Sequence, residues 1–129
     1  MPMTYNNNNM KTLNLLHIPQ TIVELHAFVK ASSVIWSEKE KAAFIFFIGC
    51  CPLAGVVIPG CNGLRKVRWS IGESGKRGGA RVVYYFYDEN HPIFLMSIYS
   101  KNERIDLTNE QKIILSKLIE IIKKGFQQK

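Results

Sequence analysis

The apolar positions of this chain follow two rhythms. After Pro19, residues Ile22, Leu25, Phe28 and Val29 recur at helical spacing, which predicts a helix from Pro19 to about Ala31. Ser37 followed by Glu40 is a capping box, in which each side chain satisfies a backbone N–H left open at the start of a helix. It predicts a second helix from Glu38 to about Cys50. Thr108 with Gln111 repeats that box, and Asp106 adds a negative charge favourable to the start of a helix. The last helix then reaches about Lys124, with Leu107, Ile114, Leu115, Leu118, Ile121, Ile122 and Phe126 as its buried stripe and Ile113 opposite.

Elsewhere the rhythm is two. Residues 12–18 alternate loosely and predict a short strand. In 64–71, Val67, Trp69 and Ile71 share one face, with Lys66 and Arg68 on the other. In 80–87, Val82, Tyr84 and Phe86 fall together, leaving Arg81 with Val83, Tyr85 and Tyr87. In 93–100, Phe94, Met96 and Ile98 form one set and Ser97, Tyr99 and Lys101 the other. Pro59-Gly60 and residues 88–92 supply the turns. The order β-α-α-β-β-β-α describes an α+β domain, with helices on a small antiparallel sheet. It occupies residues 11–129, behind a disordered, asparagine-rich leader at 1–10.

Charge sharpens the picture. The 129 residues carry a formal net charge of +7, which favours a polyanionic or acidic partner. Between residues 64 and 87 the cations Arg65, Lys66, Arg68, Lys76, Arg77 and Arg81 face the single acid Glu73. If the apolar strand sets pack on the helices, the opposite face carries Lys66, Arg68, Arg81, Tyr99 and Lys101. Lys76 and Arg77 then sit on the loop above. Like charges clustered across strands destabilise one another unless an anion screens them, and arginine forks match phosphate.

Other chemistry is sparse. The three cysteines, Cys50, Cys51 and Cys61, form neither a disulfide framework nor a metal spacing, which suits reduced thiols in a cytoplasmic protein. His17, His26 and His91 are scattered, His26 reading as structural and His91 as solvated. The glycines at 72, 75, 78 and 79 make neither G-x-G-x-x-G nor a P-loop. No metal or cofactor is expected. The uncharged run 42–63 is interrupted by Pro52 and Pro59-Gly60, so a core helix ending near Cys50 is expected rather than a membrane span.

The ordered series IPG-x-x-GLRK-x-RW, GKRGGARVVYY and SIYSKNE, followed by a T-x-x-Q helix, resembles the RelE/HigB toxins of bacterial toxin–antitoxin modules. The resemblance covers residues 52–126 closely. It implies a ribosome-dependent endoribonuclease, an mRNA interferase that enters the ribosomal A site and cuts translated mRNA without a metal. It also implies a cognate antitoxin protein as partner. The catalytic groups it implies are Lys66, Arg68, Arg81, Tyr99 and Lys101, with Arg65, Lys76 and Arg77 binding RNA. Lys66, Lys101 or Tyr99 would supply the base, and Tyr99 could instead stack on a nucleobase. The loop before Ile58, with Cys51, Leu53 and Val56, is more apolar than in that family. Two other functions fit the same residues: a ParE-like gyrase poison, and a basic RNA-binding protein without turnover.

Overall fold

A computed structural model describes residues 18–70 and 79–127. Its strands are β1 (Ile22–Glu24), β2 (Val56–Val57), β3 (Arg65–Trp69), β4 (Ala80–Tyr85) and β5 (Ile93–Ser100). Its helices are α1 (His26–Ser32), α2 (Glu38–Cys50) and α3 (Asn109–Gln127). The five strands form one sheet in the order β1-β5-β4-β3-β2. All neighbours are antiparallel except β1, which runs parallel to β5. The α+β expectation holds, but the sheet is mixed rather than antiparallel.

Both capping boxes form. Ser37 N–H donates to Glu40 Oε1 at 2.9 Å, and Glu40 N–H returns a bond to Ser37 Oγ at 3.1 Å. Thr108 N–H donates to Gln111 Oε1 at 2.9 Å, and Gln111 N–H to Thr108 Oγ1 at 3.1 Å. Helix α2 stops at Cys50 as expected, with Pro52 just beyond. Among the described residues no helix is long and apolar enough to cross a membrane.

The helix expected from Pro19 begins seven residues later, because residues 22–24 add to the edge of the sheet instead. Ile93 N–H donates to Thr21 O and Leu25 N–H to Leu95 O, so β5 captures the segment as β1. Tertiary pairing overrides the helical spacing of Ile22 and Leu25. Of the strand expected at 12–18, residue 18 is not in a strand and the rest lie outside the described residues, as does the leader.

The sheet is covered on both faces. One core joins Phe28, Trp36, Phe44 and Ile48 of the α1–α2 region to Ala80, Val82, Tyr84, Ile93, Leu95 and Ile98. Phe44 anchors it, with its ring 5.3 Å from Trp69 and 5.5 Å from Trp36. The second core joins Leu64, Val83, Tyr85, Met96 and Tyr99 to Leu107 and Ile119, with Leu115, Leu118, Ile122 and Phe126 packed alongside. Helix α3 therefore lies over the face that the alternation had assigned wholly to the cations. It is also rotated from the expected stripe. Ile119 is its one fully buried residue, whereas Ile114 and Ile121 are exposed, as is Ile113.

A bulge in β5 explains a further departure. Val83 pairs with Ser97 but Tyr84 pairs with Leu95, leaving Met96 as an extra residue. Phe94 and Met96 accordingly face α3, while Ile98 faces the opposite core. The expected set of Phe94, Met96 and Ile98 is thus split. His91, expected to be solvated, is half-buried: its Nδ1 lies 2.7 Å from Asp88 Oδ1 and its ring 4.1 Å from that of Phe126. His26 is exposed in the first turn of α1.

Candidate functional site

The register of the central strands decides which cations meet. Arg68 on β3 lies directly opposite Arg81 on β4, and Arg81 opposite Tyr99 on β5. Residues directly opposite share a face, so Arg68, Arg81 and Tyr99 form one rung across three strands. Lys66 is on the same face one step away, opposite Val83 and, on its other side, Val56 of β2. Arg68 is exposed and Lys66 and Arg81 are half-buried, whereas Tyr99 is buried at the edge of the α3 core. A depression of about 320 Å³ is lined by Ala54, Val56, Lys66, Val67, Arg68 and Arg81.

Three other candidates sit differently. Arg65 points to the opposite face, where its Nη1 donates to Gly55 O at 2.7 Å. It tethers the 51–55 loop to β3 and stands apart from the cationic rung. Lys101 follows the end of β5, in the turn toward α3, and its N–H donates to Gly79 O at 3.0 Å. Lys76 and Arg77 lie outside the described residues.

Two residues that the sequence had not marked for the site also reach it. The Asp106 carboxylate lies between the sheet and α3. Its Oδ1 accepts from Leu107 N–H at 2.7 Å and from Lys66 Nζ and Tyr99 OH at 3.4 Å each. Its Oδ2 accepts from Lys112 Nζ of α3 at 3.3 Å. Partial burial pushes the Asp106 carboxyl upward, but the Leu107 bond and the two lysines outweigh it and hold it below the usual carboxylate range. Asp106 was legible only as a charge preceding a helix. Its reach toward Tyr99 follows from the turn between β5 and α3, which carries no periodic signal.

Tyr99 is only 6% exposed. Burial and then the neighbouring Asp106 charge push its hydroxyl up to about 12, against an opposing pull from Arg81. At neutral pH it is a hydrogen-bond donor, and its ring is too enclosed to serve as a stacking platform. Among the described residues no three His, Cys, Asp or Glu side chains converge as metal ligands do. Of the thiols, Cys61 is buried, Cys50 half-buried and the adjacent Cys51 exposed.

The loop that edges the depression is held from below. Tyr84, fully buried, donates its hydroxyl to Pro52 O at 2.7 Å and accepts from Gly55 N–H at 2.8 Å. Gly55 packs so closely that a Cβ there would lie 2.8 Å from both Lys66 O and the Tyr84 ring. Leu53 and Val56 remain largely exposed on this rim. No protein-family model matches the chain.

Proposed function

We propose that this protein is a ribosome-dependent endoribonuclease of the RelE/HigB kind, the toxin of a toxin–antitoxin pair, which cuts translated mRNA and so arrests growth. The observation that carries the reading is the rung Arg68–Arg81–Tyr99, with Lys66 beside it. It sets two guanidinium groups on one rigid face, with the protonated phenol of the buried Tyr99 directly beside them. Such a surface suits the phosphodiester of RNA better than a neutral or cationic substrate.

In the reaction, a ribose 2′-oxygen bonds to the adjacent phosphorus and the bond from phosphorus to the 5′-oxygen breaks. The products are a 2′,3′-cyclic phosphate and a free 5′-hydroxyl. Arg68 and Arg81 stabilise the charge that develops on the non-bridging oxygens, presented side by side from paired strands of one sheet. Tyr99, protonated at neutral pH, suits the donor that supplies the 5′-oxygen with its proton. Lys66 is ion-paired with Asp106, so the 2′-OH proton goes to Lys101, and the pH–rate profile of Lys101→Met tests that role. The exposed Leu53 and Val56 beside these cations suit an acidic, amphipathic antitoxin segment.

Induced expression in a bacterium, with cellular mRNA mapped for new 5′ ends, tests this reading. In-frame cuts within translated regions are expected from the parent and none from a folded Arg81→Ala variant. Growth arrest without cuts, as a gyrase poison would give, overturns it. So does full cutting by the variant.

A further inference from the structure

The carboxylate of Asp106 does what an RNA phosphate would do at the same place. Its two oxygens gather a lysine from the sheet, Lys66 at 3.4 Å, and a lysine from α3, Lys112 at 3.3 Å. It also takes up the Tyr99 hydroxyl at 3.4 Å. No other carboxylate among the described residues is bonded to this group of side chains. Both lysine contacts are long for charge-assisted bonds, which close to about 2.7–2.9 Å when tight. Only the local bond from Leu107 N–H, at 2.7 Å, is short. All three charged side chains reach solvent, at 28%, 27% and 40% exposure for Lys66, Lys112 and Asp106. An outside anion can therefore approach, and the carboxylate can yield by side-chain rotation while Leu107 stays anchored in the core.

We propose that Lys66 and Lys112 form a phosphate subsite for RNA, which the resting chain fills with its own Asp106 carboxylate. The inference rests on the nuclease reading above and extends it to a residue of α3. Lys66 and Arg68 are separated by two strand residues, roughly 6.6 Å. The Arg68–Arg81 pair and the Lys66–Lys112 pair can thus hold different phosphates of one strand. When RNA takes the two lysines, Asp106 swings away and its hold on the Tyr99 hydroxyl is released. That hydroxyl then turns toward the phosphate at the rung. Occupation of the subsite and release of the proton donor become one event.

The test is binding of a labelled 2′-O-methyl oligoribonucleotide, which cannot be cut, to the full chain at 0.05–0.2 M salt. Asp106→Asn keeps the shape and removes the charge. It should tighten binding about fivefold, the factor for one close charge contact in water. Lys112→Met should weaken binding and lower the slope of log K against log salt by about 0.7, the value for one phosphate contact on a single strand. Asp88→Asn, which removes a charge beyond the other end of β4, should leave the affinity nearly unchanged, since screening acts over about 8–10 Å. Equal tightening by Asp88→Asn would reduce the effect to net charge and overturn the subsite. Unchanged or weaker binding by Asp106→Asn overturns it too, as does a parent that binds no oligonucleotide. Cutting of cellular mRNA is scored separately. A parent that cuts while Asp106→Asn binds no tighter loses the subsite and keeps the nuclease reading. The opposite pattern keeps the subsite and loses the nuclease.

Discussion

Replacing Tyr84 with Phe removes one oxygen atom from the centre of the molecule and strands two backbone groups. The ring stays in the core, so hydrophobic burial is preserved. What is lost is the bond to Pro52 O at 2.7 Å and the bond from Gly55 N–H at 2.8 Å. A buried donor left without a partner costs about 1–3 kcal/mol, and Gly55 is buried. Pro52 is half-buried, so its carbonyl recovers water in part and adds about 0.5–1.5 kcal/mol. The expected loss is about 2–4 kcal/mol. Unfolding entropy of roughly 2.1 cal/mol/K per residue, over the whole chain, makes each kcal/mol worth about 4 °C, so Tm should fall by about 7–15 °C. Urea titration measures the free energy, and hydrogen exchange at the Gly55 amide locates it. That amide should exchange faster than the β4 amides, because the 51–55 loop loses its anchor before the sheet opens. A loss under 1 kcal/mol with the Gly55 amide still protected would mean instead that the loop is held by Arg65 and packing alone.

Other outcomes follow from the same geometry. Gly79 adopts φ +56°, and a Cβ there would lie 2.5 Å from Trp69 O. Gly79→Ala should therefore cost at least about 2 kcal/mol by disturbing the start of β4; an unchanged urea midpoint would sink this. Tyr99 has a folded-state value raised to about 12 from an ordinary 10. The fold thus prefers the neutral phenol, and the stability this contributes is complete below pH 10 and is lost as pH rises toward 12. Burial also pushes Tyr84 and Tyr85 upward, so phenolate absorbance should show a late component that Tyr99→Phe reduces by one tyrosine; an unreduced late component in that variant would contradict it.

What the sequence made legible was local. Both capping boxes could be read from side chains three residues apart, and the faces of β3 and β4 followed from simple alternation. The parts that escaped depend on distant partners. Three residues, Ile22–Glu24, become a strand only because β5 offers an edge. Helix α3 carries apolar residues on several sides, so its own pattern cannot say that Ile119 is the buried one or which face of the sheet it covers. At the site, alternation brought Lys66, Arg68, Arg81 and Tyr99 to one surface but gave no hint of Asp106 or Lys112. Those two arrive through a turn and through helix docking.

The extra residue at Met96 gives β5 two independent phases. Before it, Phe94 and Met96 serve the α3 core; after it, Tyr99 serves the cationic rung. If the same residues alternated strictly, with no bulge, a strand that kept Leu95 and Ile93 in the first core would turn Tyr99 into that core and Ile98 out toward Arg81. The bulge thus works as a phase shifter: Met96 and Ser97 take the same face, so that Ile98 returns to the first core and Tyr99 to the side of α3 and the arginines. Core residues upstream of it can change their packing while the aim of Tyr99 is kept. Deleting the single residue Met96 should close the bulge into strict alternation, so Tyr99 keeps its face and only the Met96 side chain is lost from the α3 core.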